Sequence, residues 1–336
     1  MEFFESPLKV CKVAPLDPLS ISVLNSTSNI SHEHQIVLAS CFRRNTVTDA
    51  PARKKRTITE IRESKTTGEK MVYMSVPDYT SAQWGEMAGI DVAVVGDSLA
   101  MIAHGHPNTI PATMDMMVMH SQAVRRGAPN TFVLGCMPYQ SYNTVDRALT
   151  NATRFMQDAG CDAVKPQGGK GQAHILRALV NAGIPTASHI GLTPHTVAMF
   201  GGFKIQGKTS EAAMKILEDA LAIQDAGCFM LEFEAVPGKI ARLISEQLEI
   251  PTIGIGAGVG TDGQILLGYD LLGVFTDFKP KFTKRYAKLT EVAVSGIQQY
   301  VKEVKEGTFP DDDHTYGVDD KIFEEFATLV EKRKQI

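Results

Sequence analysis

The sequence predicts an α/β protein, a single-domain (βα)8 TIM barrel with an N-terminal extension. Three observations predict it. From Lys70 onward, short apolar runs alternate with longer helical segments, and eight such units fit in about 220 residues. Several helical segments end in Ala-Gly just before a strand, at Ala88-Gly89, Ala159-Gly160, Ala182-Gly183 and Ala226-Gly227. Glycine there supplies the left-handed residue that closes a helix. The spacing is even and no G-x-G-x-x-G follows the first strand, which counts against an open doubly wound sheet.

Residues 1–65 are rich in Ser, Asn, Thr and Pro without a sustained period, and read as a poorly ordered extension. Glu2 and Glu5 argue against a transit peptide, and no apolar core of a secretion signal is present. The basic run Arg53-Lys54-Lys55-Arg56 reads as a solvated linker. Residues 66–310 form the barrel. Its strands are expected at Met71–Val76, Val92–Val95, Thr131–Cys136, Ala163–Lys165, Thr186–Ile190, Phe229–Phe233, Thr252–Ile255 and Leu271–Phe275. Helical periodicity fills Val145–Ala159, Gln172–Ala182, Ser210–Ala226 and Lys239–Leu248, and Thr290–Glu306 reads as a terminal helix. Residues 311–336, opening on Asp311-Asp312-Asp313, form a charged tail that is partly helical.

Composition narrows the function. With 43% hydrophobic and 21% charged residues the chain can build a sizeable core, and a net charge of -4 leaves no nucleic-acid footprint. No run approaches the roughly 18 apolar residues of a membrane span. The five cysteines are widely spaced and form no C-x-x-C pair, which argues against a zinc knuckle or disulfide framework and favours a reducing, cytoplasmic setting.

The most informative stretch is Val95-Gly96-Asp97-Ser98-Leu99. It follows the apolar run Asp91–Val95, so Asp97 and Ser98 fall at a strand's carboxyl end, where parallel α/β folds do chemistry. Helix capping is the alternative reading of both residues. If the barrel closes, Asp78, Asp97 with Ser98, Cys136, Lys165 with Gln167, His189, Glu234 and the run Gly254–Gly258 face one mouth. Together they offer a metal-capable carboxylate, a cation for an anionic substrate, a general base and a backbone nest. Lys165 also reads as a surface lysine and His189 as a core histidine. Glu232 and Glu234 share one strand face, and two carboxylates facing a barrel interior need partners, so one is expected to pair with Lys165. Met114, Met116, Met117 and Met119 read as helix packing.

The motifs resemble the ketopantoate hydroxymethyltransferase family of the phosphoenolpyruvate mutase/isocitrate lyase superfamily, from about Met71 to about Pro310. The resemblance rests on Val95–Leu99, Gly105-His106, His120 with Ala123–Ala128, His189-Ile190-Gly191-Leu192-Thr193-Pro194, Phe200–Gly207, Glu234-Ala235-Val236-Pro237, Ile253–Gly258 and Thr261–Leu266. It implies transfer of a hydroxymethyl group from methylene-tetrahydrofolate to a 2-oxo acid through a metal-stabilised enolate, and a homo-oligomer, commonly a decamer. It implies that Glu234 is the base, that Asp97 is a magnesium ligand, and that Ser98 and Lys165 contact substrate.

Two positions depart from the pattern. The family has an aspartate where this chain has Cys136 and a glutamate where it has Gln167. A thiolate would favour zinc or cobalt over Mg2+. The opening motif also differs, with Val76-Pro77-Asp78-Tyr79 lacking the usual aromatic. Catalysis is therefore expected of Glu234, Lys165 and His189. Substrate contact is expected of Asp97, Ser98, Cys136 and Lys165, and metal ligation of Asp97, Cys136 and Gln167. A diverged carbon–carbon lyase or transferase acting on another 2-oxo acid, and a non-catalytic paralogue, are the alternatives these substitutions leave open.

Overall fold

The computed structural model describes residues 54–334; most of the expected N-terminal extension, with Cys11 and Cys41, lies outside the described residues. Where the extension is described it departs from expectation, because Ile58–Thr67 is a helix (α1). Its signal is a capping box. Glu60 N donates to the Thr57 hydroxyl at 3.2 Å, and Thr57 N donates to the Glu60 carboxylate at 2.7 Å. Nor is the basic run a free linker. Lys55 pairs with Asp162 at 2.6 Å and Arg56 with Asp91 at 3.1 Å, which ties the entry of α1 to the barrel.

Eight parallel strands follow: β1 (Met71–Ser75), β2 (Val92–Val95), β3 (Phe132–Cys136), β4 (Ala163–Lys165), β5 (Ser188–Gly191), β6 (Leu231–Glu234), β7 (Thr252–Ile255) and β8 (Gly263–Leu267). They pair in the order β4-β3-β2-β1-β8-β7-β6-β5. Single bridges Val164↔Thr186 and Gln167↔His189 close the seam between β4 and β5. The result is the predicted TIM barrel. Around it lie α2 (Tyr79–Ala88), the short α3 (Leu99–Ile102), α4 (Met114–Gly127), α5 (Val145–Thr153), α6 (Ala173–Asn181), α7 (Ser210–Asp225), α8 (Gly238–Ser245) and a short α9 (Gly268–Leu272). The expected helix Val145–Ala159 ends early and continues as one π turn, Arg154–Asp158. All four expected Ala-Gly stops carry glycine at positive φ: Gly89 at 86°, Gly160 at 68°, Gly183 at 80° and Gly227 at 92°.

The eighth strand is a correction. Leu271–Phe275 is not a strand; it overlaps the end of α9, which Gly273 closes in the left-handed region. The strand is Gly263–Leu267, in register with β1 from Met71↔Gly263 to Ser75↔Leu267. Both runs are short and apolar, and periodicity does not separate them. The choice is made by close approach, since a Cβ at position 263 would lie 2.5 Å from the Met71 carbonyl oxygen. β7 therefore reaches β8 through a loop with no helix between them.

Three aspartates just ahead of strands fasten the amino ends of the barrel. Asp91 before β2 accepts from Val72 N at 2.9 Å, Asp162 before β4 from Val133 N at 2.9 Å, and Asp262 before β8 from Thr252 N at 2.8 Å. Each also pairs with a cation, Arg56, Lys55 or Lys65 respectively. The carboxyl ends, left free of such fastening, open into the cavity described next. Beyond the barrel, α10 (Leu289–Glu306) and α11 (Asp320–Lys334) have no buried residue.

Candidate active site

At the carboxyl ends of the strands lies a cavity of about 580 Å³. Asp97, Ser98, Cys136, Lys165, Gln167, His189 and Glu234 all line it, as does Glu232. The expected convergence is met for these side chains and fails for Asp78. That carboxylate instead caps α2, accepting from Ser81 N at 2.8 Å, and accepts from the Tyr269 hydroxyl at 2.5 Å.

Asp97 does not cap the helix that follows it. α3 is four residues long, and its cap residue Ser98 makes no side-chain cap bond. The Asp97 carboxylate instead faces inward and is buried. His195 Nε2 donates to its Oδ2 at 2.8 Å, and Gln167 Nε2 donates to the same oxygen at 3.4 Å. Burial works against the charge of Asp97. The His195 bond and the charges of Lys165 and His189 outweigh it and hold the carboxyl below its usual value.

Lys165, the last residue of β4, is also buried, and its ammonium donates to Glu232 Oε2. This settles which of the two alternating carboxylates pairs with the lysine. Burial opposes both charges, yet each favours the other: the carboxyl of Glu232 is held low and the ammonium of Lys165 is held high. Glu234, two residues on, stands at the rim with its side chain 15% exposed. His189 lies between the two acids. Its Nδ1 is 3.6 Å from Glu232 Oε1, and its Nε2 is 3.1 Å from Glu234 Oε2 but off the line of a hydrogen bond. Cys136 is buried, and burial pushes its thiol up to about 12, so it is neutral at pH 7.

Sequence reasoning missed His195 and Tyr142. Gln167 N donates to the Tyr142 hydroxyl at 3.1 Å, Tyr142 Oη lies 2.8 Å from His195 Nδ1, and His195 Nε2 meets Asp97. A neutral imidazole protonated on Nε2 satisfies every link of this chain. The available signal was a histidine directly after Pro194, one residue past a recognised motif, in the loop that leaves the carboxyl end of β5. Tyr142 carried no comparable signal, because it reaches the site from the loop after β3.

The donor set answers poorly to magnesium. Mg2+ requires oxygen ligands in near-octahedral array, including carboxylates. Here one oxygen of Asp97 is already engaged twice. The Gln167 Oε1 accepts from His195 N at 3.3 Å, and Cys136 offers a neutral thiol. This set does not fit Mg2+. Among the described residues, no three His, Cys, Asp or Glu side chains come together as a metal cluster either.

A family model described as ketopantoate hydroxymethyltransferase matches residues 55–312. The 3-methyl-2-oxobutanoate hydroxymethyltransferase 1 of Methylibium petroleiphilum is 82% identical over 286 residues, covering 85% of this chain and 97% of its own. Among solved structures, 2,3-dimethylmalate lyase, a PEP mutase/isocitrate lyase superfamily member, aligns with TM-score 0.51 at 15% identity, covering 82% of this chain and 96% of its own. Phosphonopyruvate hydrolase in complex with oxalate and Mg++ aligns with TM-score 0.52 at 10% identity, covering 83% and 99%. At these identities the two structures bear on the fold alone.

Proposed function

Since this chain belongs to the ketopantoate hydroxymethyltransferase family, we propose that its cavity performs that transfer, with 3-methyl-2-oxobutanoate as the acceptor and methylene-tetrahydrofolate as the donor. The observation that carries the residue assignment is the division of labour between the two carboxylates of β6. Glu232 is engaged by Lys165, whereas Glu234 faces the mouth with no strong cation on it. A general base must reach its proton, and Glu234 is the carboxylate so placed.

The steps follow from these positions. The carboxylate of the 2-oxo acid is held by the Lys165 ammonium, which has three donors and gives one to Glu232. Ser98 and Cys136 line the same cavity and complete the contacts to the acid. Glu234 takes the proton from C3, and the C–H electron pair moves toward the C2 carbonyl to form the enolate. The fixed charge of Lys165 favours the negative charge that develops there. The enolate carbon bonds to the methylene carbon as its two C–N bonds to the folate break, water supplies the hydroxyl oxygen, and the C3 proton and one proton of water pass to the two folate nitrogens as tetrahydrofolate departs. His189, beside Glu234, is the group placed to steady the carboxylate before transfer and to share its proton afterwards.

Family membership points to dependence on a divalent cation, while the donor set described above points away from magnesium; no step here is routed through a metal. The protein acts on small molecules. A homo-oligomer is supported by α10 and α11, which expose Ile297, Tyr300, Phe323 and Phe326. Among the described residues no helix is long and apolar enough to cross a membrane.

The test is product formation from 3-methyl-2-oxobutanoate and methylene-tetrahydrofolate, read together with deuterium exchange at C3. Glu234→Gln is expected to lower exchange by about 10³-fold or more while changing substrate affinity little. Exchange at the wild-type rate in that variant would remove Glu234 from the role of base.

A further inference from the structure

The chain Gln167–Tyr142–His195–Asp97, which meets the cavity at Gln167 and Asp97, has no part in the steps above. It is buried throughout, and each link is a hydrogen bond: 3.1 Å from Gln167 N to Tyr142 Oη, 2.8 Å from Tyr142 Oη to His195 Nδ1, and 2.8 Å from His195 Nε2 to Asp97 Oδ2. Gln167 closes the chain into a ring. Its Nε2 donates to Asp97 at 3.4 Å and its Oε1 accepts from His195 N at 3.3 Å. Both ends of the Gln167 amide and one oxygen of Asp97 are thus committed to protein partners.

We propose that this cavity binds its 2-oxo acid and holds the enolate without a divalent cation, with Lys165 as the charge facing the anion and the His195–Tyr142–Gln167 ring as the device that turns hydrogen-bond donors onto Asp97. The proposal rests on the 2-oxo acid reading of the site. A bare buried carboxylate at the mouth would repel an anionic substrate and would call for a cation. Asp97 is not bare, because two donors aim at one of its oxygens. The substitutions agree with this in charge. Where the resemblance expects two further carboxylates, this chain has a thiol at Cys136 and an amide at Gln167. Two negative charges and one divalent cation are lost together, so the net charge offered to the substrate is unchanged. His195 acts through Asp97 and is a positioning residue.

Isothermal titration of the full chain with 3-methyl-2-oxobutanoate tests this, first after exhaustive dialysis against a chelator and then in millimolar magnesium. Affinities within about threefold of each other are expected; a gain of about tenfold or more with magnesium overturns the proposal. His195→Ala exposes Asp97. It is expected to bind the acid about tenfold more weakly in chelator and to recover with magnesium, a response a merely structural defect would not give. Tyr142→Phe, which keeps the aromatic side chain but removes the hydroxyl bonded to His195 Nδ1, loosens the same hold on Asp97 should His195→Ala fail to fold. Unchanged affinity in chelator for every variant that folds removes the ring from the argument. Product formation is read on the same samples. Cation-independent binding of the acid without hydroxymethylated product overturns the transferase reading and upholds this one. Product that appears only with magnesium, with binding that also needs it, overturns this one and upholds the transferase.

Discussion

Glu234 is aimed by the backbone on either side of it. Ala235 takes φ +50°, a conformation that costs a residue with a Cβ about 1 kcal/mol or more. It is held there from two directions, since Ala235 N donates to Ile255 O at 2.9 Å and Ala235 O accepts from Gln206 N at 3.0 Å. On the neighbouring strand, Gly191 at φ +91° lets β5 approach so closely that a Cβ would lie 2.3 Å from the Glu234 carbonyl oxygen. A second residue of the mouth stores energy differently. Burial pushes the Asp270 carboxyl up to about 6, and the charge of Arg285 offsets this only in part. A raised carboxyl value means that the folded state prefers the protonated form. The penalty is therefore absent below pH 3.8, grows as pH rises toward 6, and is complete at neutral pH. Asp270→Asn is expected to raise the melting temperature by a few degrees at pH 7, of order 1–3 kcal/mol, and by nothing measurable below pH 4. Thermal melts across that range check it; an equal shift at both ends would contradict the titration account.

At the scale of elements, the two ends of the strands do different work. Strand carboxyl ends carry the cavity. The amino ends carry aspartates that bond the first N–H of the preceding strand or its near neighbour and a cation from outside the barrel. Asp162 holds two cations, Lys55 and Arg125, as well as a backbone N–H, that of Val133. Removing it leaves a backbone donor and two cations short of a partner, so Asp162→Ala is expected to cost about 2–4 kcal/mol in denaturant unfolding. The kcat/KM of the folded protein should stay within about twofold, because Asp162 is at the end of β4 opposite Lys165. A large loss of kcat/KM without a loss of stability would contradict this division. Legibility was uneven at the same scale. The strands β1 to β7 and the glycine stops were readable because periodicity and left-handed glycine are local signals. The eighth strand was not, since Leu271–Phe275 and Gly263–Leu267 look alike until β1 is beside one of them.

For the whole molecule, the question is what covers the C-terminal helices. α10 and α11 turn large apolar side chains to solvent, with Ile297 61%, Phe323 59% and Phe326 61% exposed. Apolar surface of this extent is expected to be covered by a second copy of the chain. Light scattering is expected to give an integral multiple of the monomer mass, and Phe323→Glu with Phe326→Glu to lower that multiple. A monomeric wild-type protein would dismiss the interface.

The sequence by itself determined that the chain is a parallel barrel, and that Asp97, Lys165, His189 and Glu234 fall at strand ends facing one mouth. Alternation along a strand and glycine at helix stops are properties of neighbouring residues, legible without the fold. Only the tertiary structure decided that Lys165 takes Glu232 and leaves Glu234 free, and that Asp97 is bound by a histidine 98 residues away. Those pairings depend on the distances between side chains brought together by barrel closure, which no local pattern encodes.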